Sequence, residues 1–203
     1  MRAMRVLQRG KLGWASGAAV AAMLSLSTAA LAISVLLPPG GTVAVPSTTA
    51  ALEPDLAGVV IHDAVLPFTI KNPAGGMVCA GQLQDRVVRS SKTGLLHFYY
   101  RIRATSGPGA ISQLSTAGFP NLALRVAYRA DGLGTVPPRR AHRTSAPGAQ
   151  VMFTLPDPTV SCAKHEESRF IFIKTPAKAF RPGGVTRVIA TTGAVASVPT
   201  VMP

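Results

Sequence analysis

The sequence predicts an all-β protein, an antiparallel β-sandwich of about ten strands with an Ig-like or jelly-roll-like organisation. Three observations carry this. Apolar runs are short and alternate with polar residues at a period of two, as in strands buried on one face. The 19 Gly and 17 Pro of the 203 residues cluster between those runs, where turns belong. Beyond the N-terminal leader no stretch carries the apolar stripe of an amphipathic helix. A coiled coil would be rich in Ala, Glu, Lys and Leu with few breakers. A disordered chain would fall far below 47% hydrophobic residues. Several membrane spans would need several long apolar runs, and one is visible.

Residues 1–32 read as a signal peptide. Arg2, Arg5, Arg9 and Lys11 form a basic head, an apolar stretch follows, and Ala30-Leu31-Ala32 has the small-x-small form of a cleavage site. The head lacks a twin-Arg pair, which points to the general secretory route. Cleavage after Ala32 leaves 171 residues, and with four basic residues gone 17 of 21 remain against 8 acidic ones. The alternative is an uncleaved anchor over residues 13–37, long enough to span a bilayer. Either way the bulk of the chain lies outside the cytoplasm, periplasmic or extracellular. Residues 33–57 are rich in Pro, Gly, Ser and Thr without periodicity and read as a flexible linker. The β-sandwich domain is expected over 58–203.

Within that domain, residues 59–61 and 65–70 give the first strands and 77–90 a longer one. In 93–104, Leu96, Phe98, Tyr100 and Ile102 point to the core. His97, Tyr99, Arg101 and Arg103 point to solvent. The turn Ser91-Lys92-Thr93-Gly94 joins these last two strands as a hairpin. Leu122, Leu124, Val126 and Tyr128 repeat the alternation, with Arg125 and Arg129 opposite. Val151, Phe153 and Leu155 repeat it again. Residues 170–173, apolar on both faces, read as a central, doubly covered strand. Strands at 185–190 and 196–198 close the domain. Residues 111–118 read as a short helix or an irregular connection.

Further motifs are Gly81-Gln-Leu-Gln-Asp-Arg-Val-Val-Arg-Ser90, Thr93-Gly-Leu-Leu-His-Phe-Tyr-Tyr-Arg-Ile102, Tyr128-Arg-Ala-Asp-Gly132 and Phe170-Ile-Phe-Ile-Lys-Thr175. With Pro138, Ala141, Arg143, Ser145, Ala177, Phe180 and Gly183, they resemble a group of uncharacterised exported bacterial β-sandwich proteins. Some of these carry a PEP-type C-terminal sorting tail. The resemblance spans most of residues 58–200 and implies a fold, with no catalytic residues to carry over. Here the chain reads to Val201-Met202-Pro203 without an apolar helix or basic tail, so no sorting anchor is expected.

Cys79 and Cys162 are the two cysteines. In an oxidising compartment an even count implies a disulfide, here closing more than eighty residues. The alternative, a thiol nucleophile paired with His, needs a local cause for a low thiol pKa. Cys162-Ala-Lys-His165-Glu166-Glu167 has Cys-x2-His spacing but lacks the other half of a zinc site, so no metal and no cofactor are expected. His62-Asp63 could contribute to an acid–base relay, yet neighbours on a strand point to opposite faces and no Gly-x-Ser-x-Gly elbow occurs. Among the eight acidic residues, Asp85 lies in a strand beside Arg86 and Arg89, where an ion pair is expected.

The basic excess carries the remaining functional content. Arg101, Arg103, Arg125 and Arg129 fall on the outward rows of two strands. If those strands pair, four guanidinium groups share a face. Arg139, Arg140 and Arg143 add a second cluster. Such a surface suits anionic polysaccharides or other envelope polymers. Specific nucleic-acid recognition is not expected, because stacking aromatics are not interleaved with the arginines. The expectation is an exported, non-enzymatic structural or binding module. One alternative is a binder of anionic polymers, and another is a hydrolase built on His62/Asp63 or Cys162/His165.

Overall fold

The computed structural model describes residues 33–155 and 159–203. The expected signal peptide lies outside the described residues. In chain order the strands are β1 (Val35–Leu36), β2 (Thr42–Ala44), β3 (Ser47–Thr48), β4 (Gly58–Lys71), β5 (Met77–Ser90), β6 (Leu96–Ser106), β7 (Ala110–Ala117), β8 (Arg125–Arg129), β9 (Arg140–Arg143), β10 (Gln150–Thr154), β11 (Val160–Ser161), β12 (Ile171–Lys174), β13 (Arg181–Ala190) and β14 (Val195–Met202). A 3-10 turn, Pro54–Leu56, precedes β4.

The strands form two seven-stranded sheets. The first runs β1-β8-β12-β6-β5-β4, with β3 added in parallel to β8. The second runs β14-β13-β7-β10-β9-β2, with β11 added to β7. All other strand pairings are antiparallel, so the fold is the expected sandwich; it adds several short strands that the alternation does not reveal, and the two strands expected at 59–61 and 65–70 are one, β4. The β5–β6 hairpin forms through the expected turn, where Gly94 adopts φ +70°, a conformation a side chain disfavours. Central β12 is buried on both faces as expected: Ile171 and Ile173 enter the main core while Phe172 points outward and is equally enclosed.

The core between the sheets takes Leu83, Val87, Phe98, Tyr100 and Ile102 from the first sheet and Leu114, Val151, Phe153 and Val188 from the second. A disulfide joins Cys79 on β5 to Cys162 just after β11, with Cα atoms 5.7 Å apart, and so ties one sheet to the other. A hydroxyl chain also crosses the core. Thr116 donates to Tyr100 at 3.2 Å, Thr186 donates to Thr116 at 3.1 Å, and Thr200 lies 3.1 Å from Thr186. Each buried hydroxyl is thereby satisfied.

Two expectations are corrected. Residues 33–57 are not a linker. They lay β1 and β3 on the first sheet and β2 on the second, and drive Leu37, Val45 and Leu56 into buried positions. Strands of two or three residues have no period to read, so composition alone suggested flexibility. The same fact trims the alternative anchor: Leu37, at the end of the apolar run, is fully buried in the sandwich core. Among the described residues no helix is long and apolar enough to cross a membrane. Residues 110–117 form β7, a central strand. Its alternation is hidden because pairing with β13 shifts register between Ile189 and Ala190, and because inward Thr116 is polar.

Candidate functional site

The outer face of the first sheet carries the most chemistry. Alternation places Gln84, Arg86 and Val88 of β5, His97, Tyr99, Arg101 and Arg103 of β6, Phe172 of β12, and Ala127 and Arg129 of β8 on that side. Registers Arg86↔Tyr99↔Phe172↔Ala127 run across it. The face was expected to be solvated. Instead His97, Tyr99 and Arg101 are only 1%, 3% and 5% exposed. A second apolar cluster of Leu56, Val88, Tyr99, Ala127, Phe170 and Phe172 sits there. The residues preceding β4, misread as linker, supply Leu56 to its cover.

The guanidinium groups are organised by rings and acids. Arg86 and Arg101 each stack 5.0 Å from the centre of the Phe170 ring. Arg86 donates from Nη2 to Asp63 at 2.6 Å, and Arg101 lies 3.4 Å from Glu167. Arg103 donates to Glu167 at 3.0 Å, and Arg129 grips Asp131 with two bonds of 2.6 and 2.9 Å. These contacts set the titration. The Arg86 hydrogen bond holds Asp63 below its ordinary range, and the Arg129 hydrogen bond does the same for Asp131. Burial lowers Arg101 and pushes the Tyr99 hydroxyl up to about 12.

Between these groups opens a cleft of about 290 Å³ lined by Arg86, Tyr99, Arg129, Asp131, Leu133 and Phe170. Tyr99 and Phe170 line it and form a T-shaped ring pair. Leu133 stands exposed at the rim. The cleft thus offers cationic donors, a carboxylate acceptor and apolar surface within one small space.

The predicted arginines separate into four groups. Arg101, Arg103 and Arg129 share the outer face as expected, although β12 lies between β6 and β8, so those two strands do not pair. Arg125 sits on the same face but donates to Ser34, through Nε to the hydroxyl and Nη2 to the carbonyl, and so holds the N-terminal segment. Arg139 and Arg140 are exposed at the other sheet, Arg140 on β9. Arg143 is corrected: it donates to the carbonyls of Leu37, Phe119 and Gly148, which fixes three segments, and at 1% exposure it is out of reach of a ligand. Arg86, which sequence reasoning assigned to Asp85, is the member it missed. Its outward position was legible from the β5 alternation.

The other candidates resolve differently. Cys162 is in the disulfide, so a thiol nucleophile paired with His165 is overturned. Asp63 pairs with Arg86 and not with His62. His62 lies beside Asp85 instead, with Nε2 and Oδ2 3.6 Å apart. Asp85 is corrected as well: it points inward, fully buried, and accepts the Val201 N–H at 2.9 Å from β14. Burial raises its pKa. Among the described residues no nucleophilic side chain hydrogen-bonds to His62, and no group of three His, Cys, Asp or Glu side chains converges as a metal site.

A separate polar cluster anchors the N-terminal segment. Glu53 accepts from the Ser34 amide and hydroxyl, and Lys174 bridges Glu53 and Asp55. Burial acts to raise Glu53, but Lys174 and Ser34 override it and hold the carboxyl low. His97 lies near this cluster, and burial, aided by the Lys174 charge, pulls it down to about 4. No protein-family description, curated protein or solved structure matches the chain.

Proposed function

We propose that the chain is an exported, non-enzymatic binding module that engages anionic polymers of a cell envelope or extracellular matrix through the outer face of its first sheet. The observation that carries this is the guanidinium array of Arg86, Arg101, Arg103 and Arg129 on that face, the first two stacked on Phe170 and the last two held by carboxylates. These side chains are preorganised by stacking and by carboxylates, so little rotamer freedom is lost on binding. Export is supported by the basic head, the apolar stretch and the Ala-x-Ala site, and by a disulfide that needs an oxidising compartment to persist. The polymer reading keeps Arg101, Arg103 and Arg129, adds Arg86 and drops Arg143.

The test is binding to heparin, as a model polyanion, across a salt series. Affinity should fall steeply with salt as contacts are screened and counterions are released. Replacing Arg103 and Arg129 together with Ser should flatten the logarithmic salt slope by roughly two, about one per lost contact, with little change in melting temperature. Salt-independent binding, or none, would remove the reading.

A further inference from the structure

We infer that the cleft beside Arg129 is a subsite for one sugar-acid residue, a hydroxylated six-membered ring bearing a carboxylate, within an acidic polysaccharide. This rests on the polyanion reading and specifies its ligand. Size is the first argument. At about 290 Å³ the cleft lies at the lower end of small-molecule pockets, which run roughly 300–1,000 Å³, so it suits one ring rather than a nucleotide.

Chemistry is the second argument. Arg86 donates to Asp63 through Nη2 alone, and Arg129 commits Nε and Nη2 to Asp131. A guanidinium carries five N–H donors, more than these bonds use, and both arginines line the cleft, where they can meet a carboxylate. A phosphate- or sulfate-binding cleft would gain nothing from a carboxylate in its wall. Asp131 lines this one; it accepts from Arg129 and from the Ala50 N–H, and a carboxylate's remaining acceptor capacity suits a hydroxyl donor of a sugar. The exposed Leu133 side chain and the Tyr99 and Phe170 rings that line the cleft supply apolar surface for the C–H face of the sugar ring. Cation, acceptor and apolar wall together describe a uronate more closely than any bare polyanion.

The experiment titrates the protein with oligogalacturonate, with its neutral methyl ester, and with polyphosphate, for the wild type, Asp131→Asn and Arg86→Lys. Thermal unfolding of each variant checks the fold. Oligogalacturonate should bind, and its methyl ester about tenfold more weakly or worse. Asp131→Asn should weaken oligogalacturonate by about tenfold yet strengthen polyphosphate, because a repelling charge is gone. Arg86→Lys, which keeps the charge but loses the planar fork, should weaken oligogalacturonate and leave polyphosphate unchanged. If Asp131→Asn strengthens both anions alike, the sugar-acid subsite is wrong while the polyanion face stands. If no anion binds the wild type, both fall.

Discussion

The outer faces of the two sheets come from the same kind of sequence and end in opposite environments. On the second sheet, Arg140, Val185, Arg187 and Ser197 alternate outward and stay exposed. On the first, His97, Tyr99 and Arg101 alternate outward just as regularly and are buried. The difference lies elsewhere in the chain. Leu56 of the 3-10 turn and Phe170 ahead of β12 roof the first sheet over, while among the described residues Arg187 stays exposed. Alternation tells which way a side chain points. Whether it meets water depends on segments far away in sequence. The covered face is also where charges are held rigidly by rings and acids, which is what a binding surface needs.

The largest perturbation should act on both faces at once. Replacing Cys79 and Cys162 together with Ala removes the tie between the sheets. With a sequence separation of 83, the chain-entropy argument predicts a loss of about 4–5 kcal/mol, read by urea unfolding. Phe172→Ala should cost about 3–5 kcal/mol, as for a core aromatic, although Phe172 lies on the outer side of its sheet. A loss near zero there would mean that the cover does not pack.

His97 sharpens the same contrast by pH. Its folded pKa is lowered from 6.5 to about 4, so the unfolded chain takes up the proton first. The stability it contributes is fully present above pH 6.5 and is lost as pH falls toward 4, by at most about 3 kcal/mol. His97→Gln should flatten that interval of the stability–pH curve. The smallest effect belongs to the open face: Arg187→Ala should shift stability by no more than about 0.5 kcal/mol.

Long, alternating strands were legible in the sequence. The residues 77–90 and 185–190 read correctly, as did the double burial of 170–173, because period and turn chemistry agree there. What was hidden shares a physical cause. Pairing of β1, β2 and β3 is decided by partners about eighty to a hundred residues away, and strands that short leave no pattern. Thr116 looks like a surface residue until Tyr100 and Thr186 satisfy its hydroxyl. Arg143 looks like part of a basic patch until three carbonyls converge on it. The disulfide was readable from cysteine count. The cleft was half readable: Arg129 and Asp131 lie two apart in sequence, but Phe170 joins them only through the sheet.

The account stands on residues 33–57 being part of the fold and the roof of its binding face. The direct measurement is thermal unfolding of the chain begun at Ile33 beside the chain begun at Gly58. The account predicts a cooperative transition for the first, and for the second either none or one at a much lower temperature, since β1–β3, Leu37 and Leu56 are gone. Equal melting temperatures would contradict it and return those residues to the status of a linker.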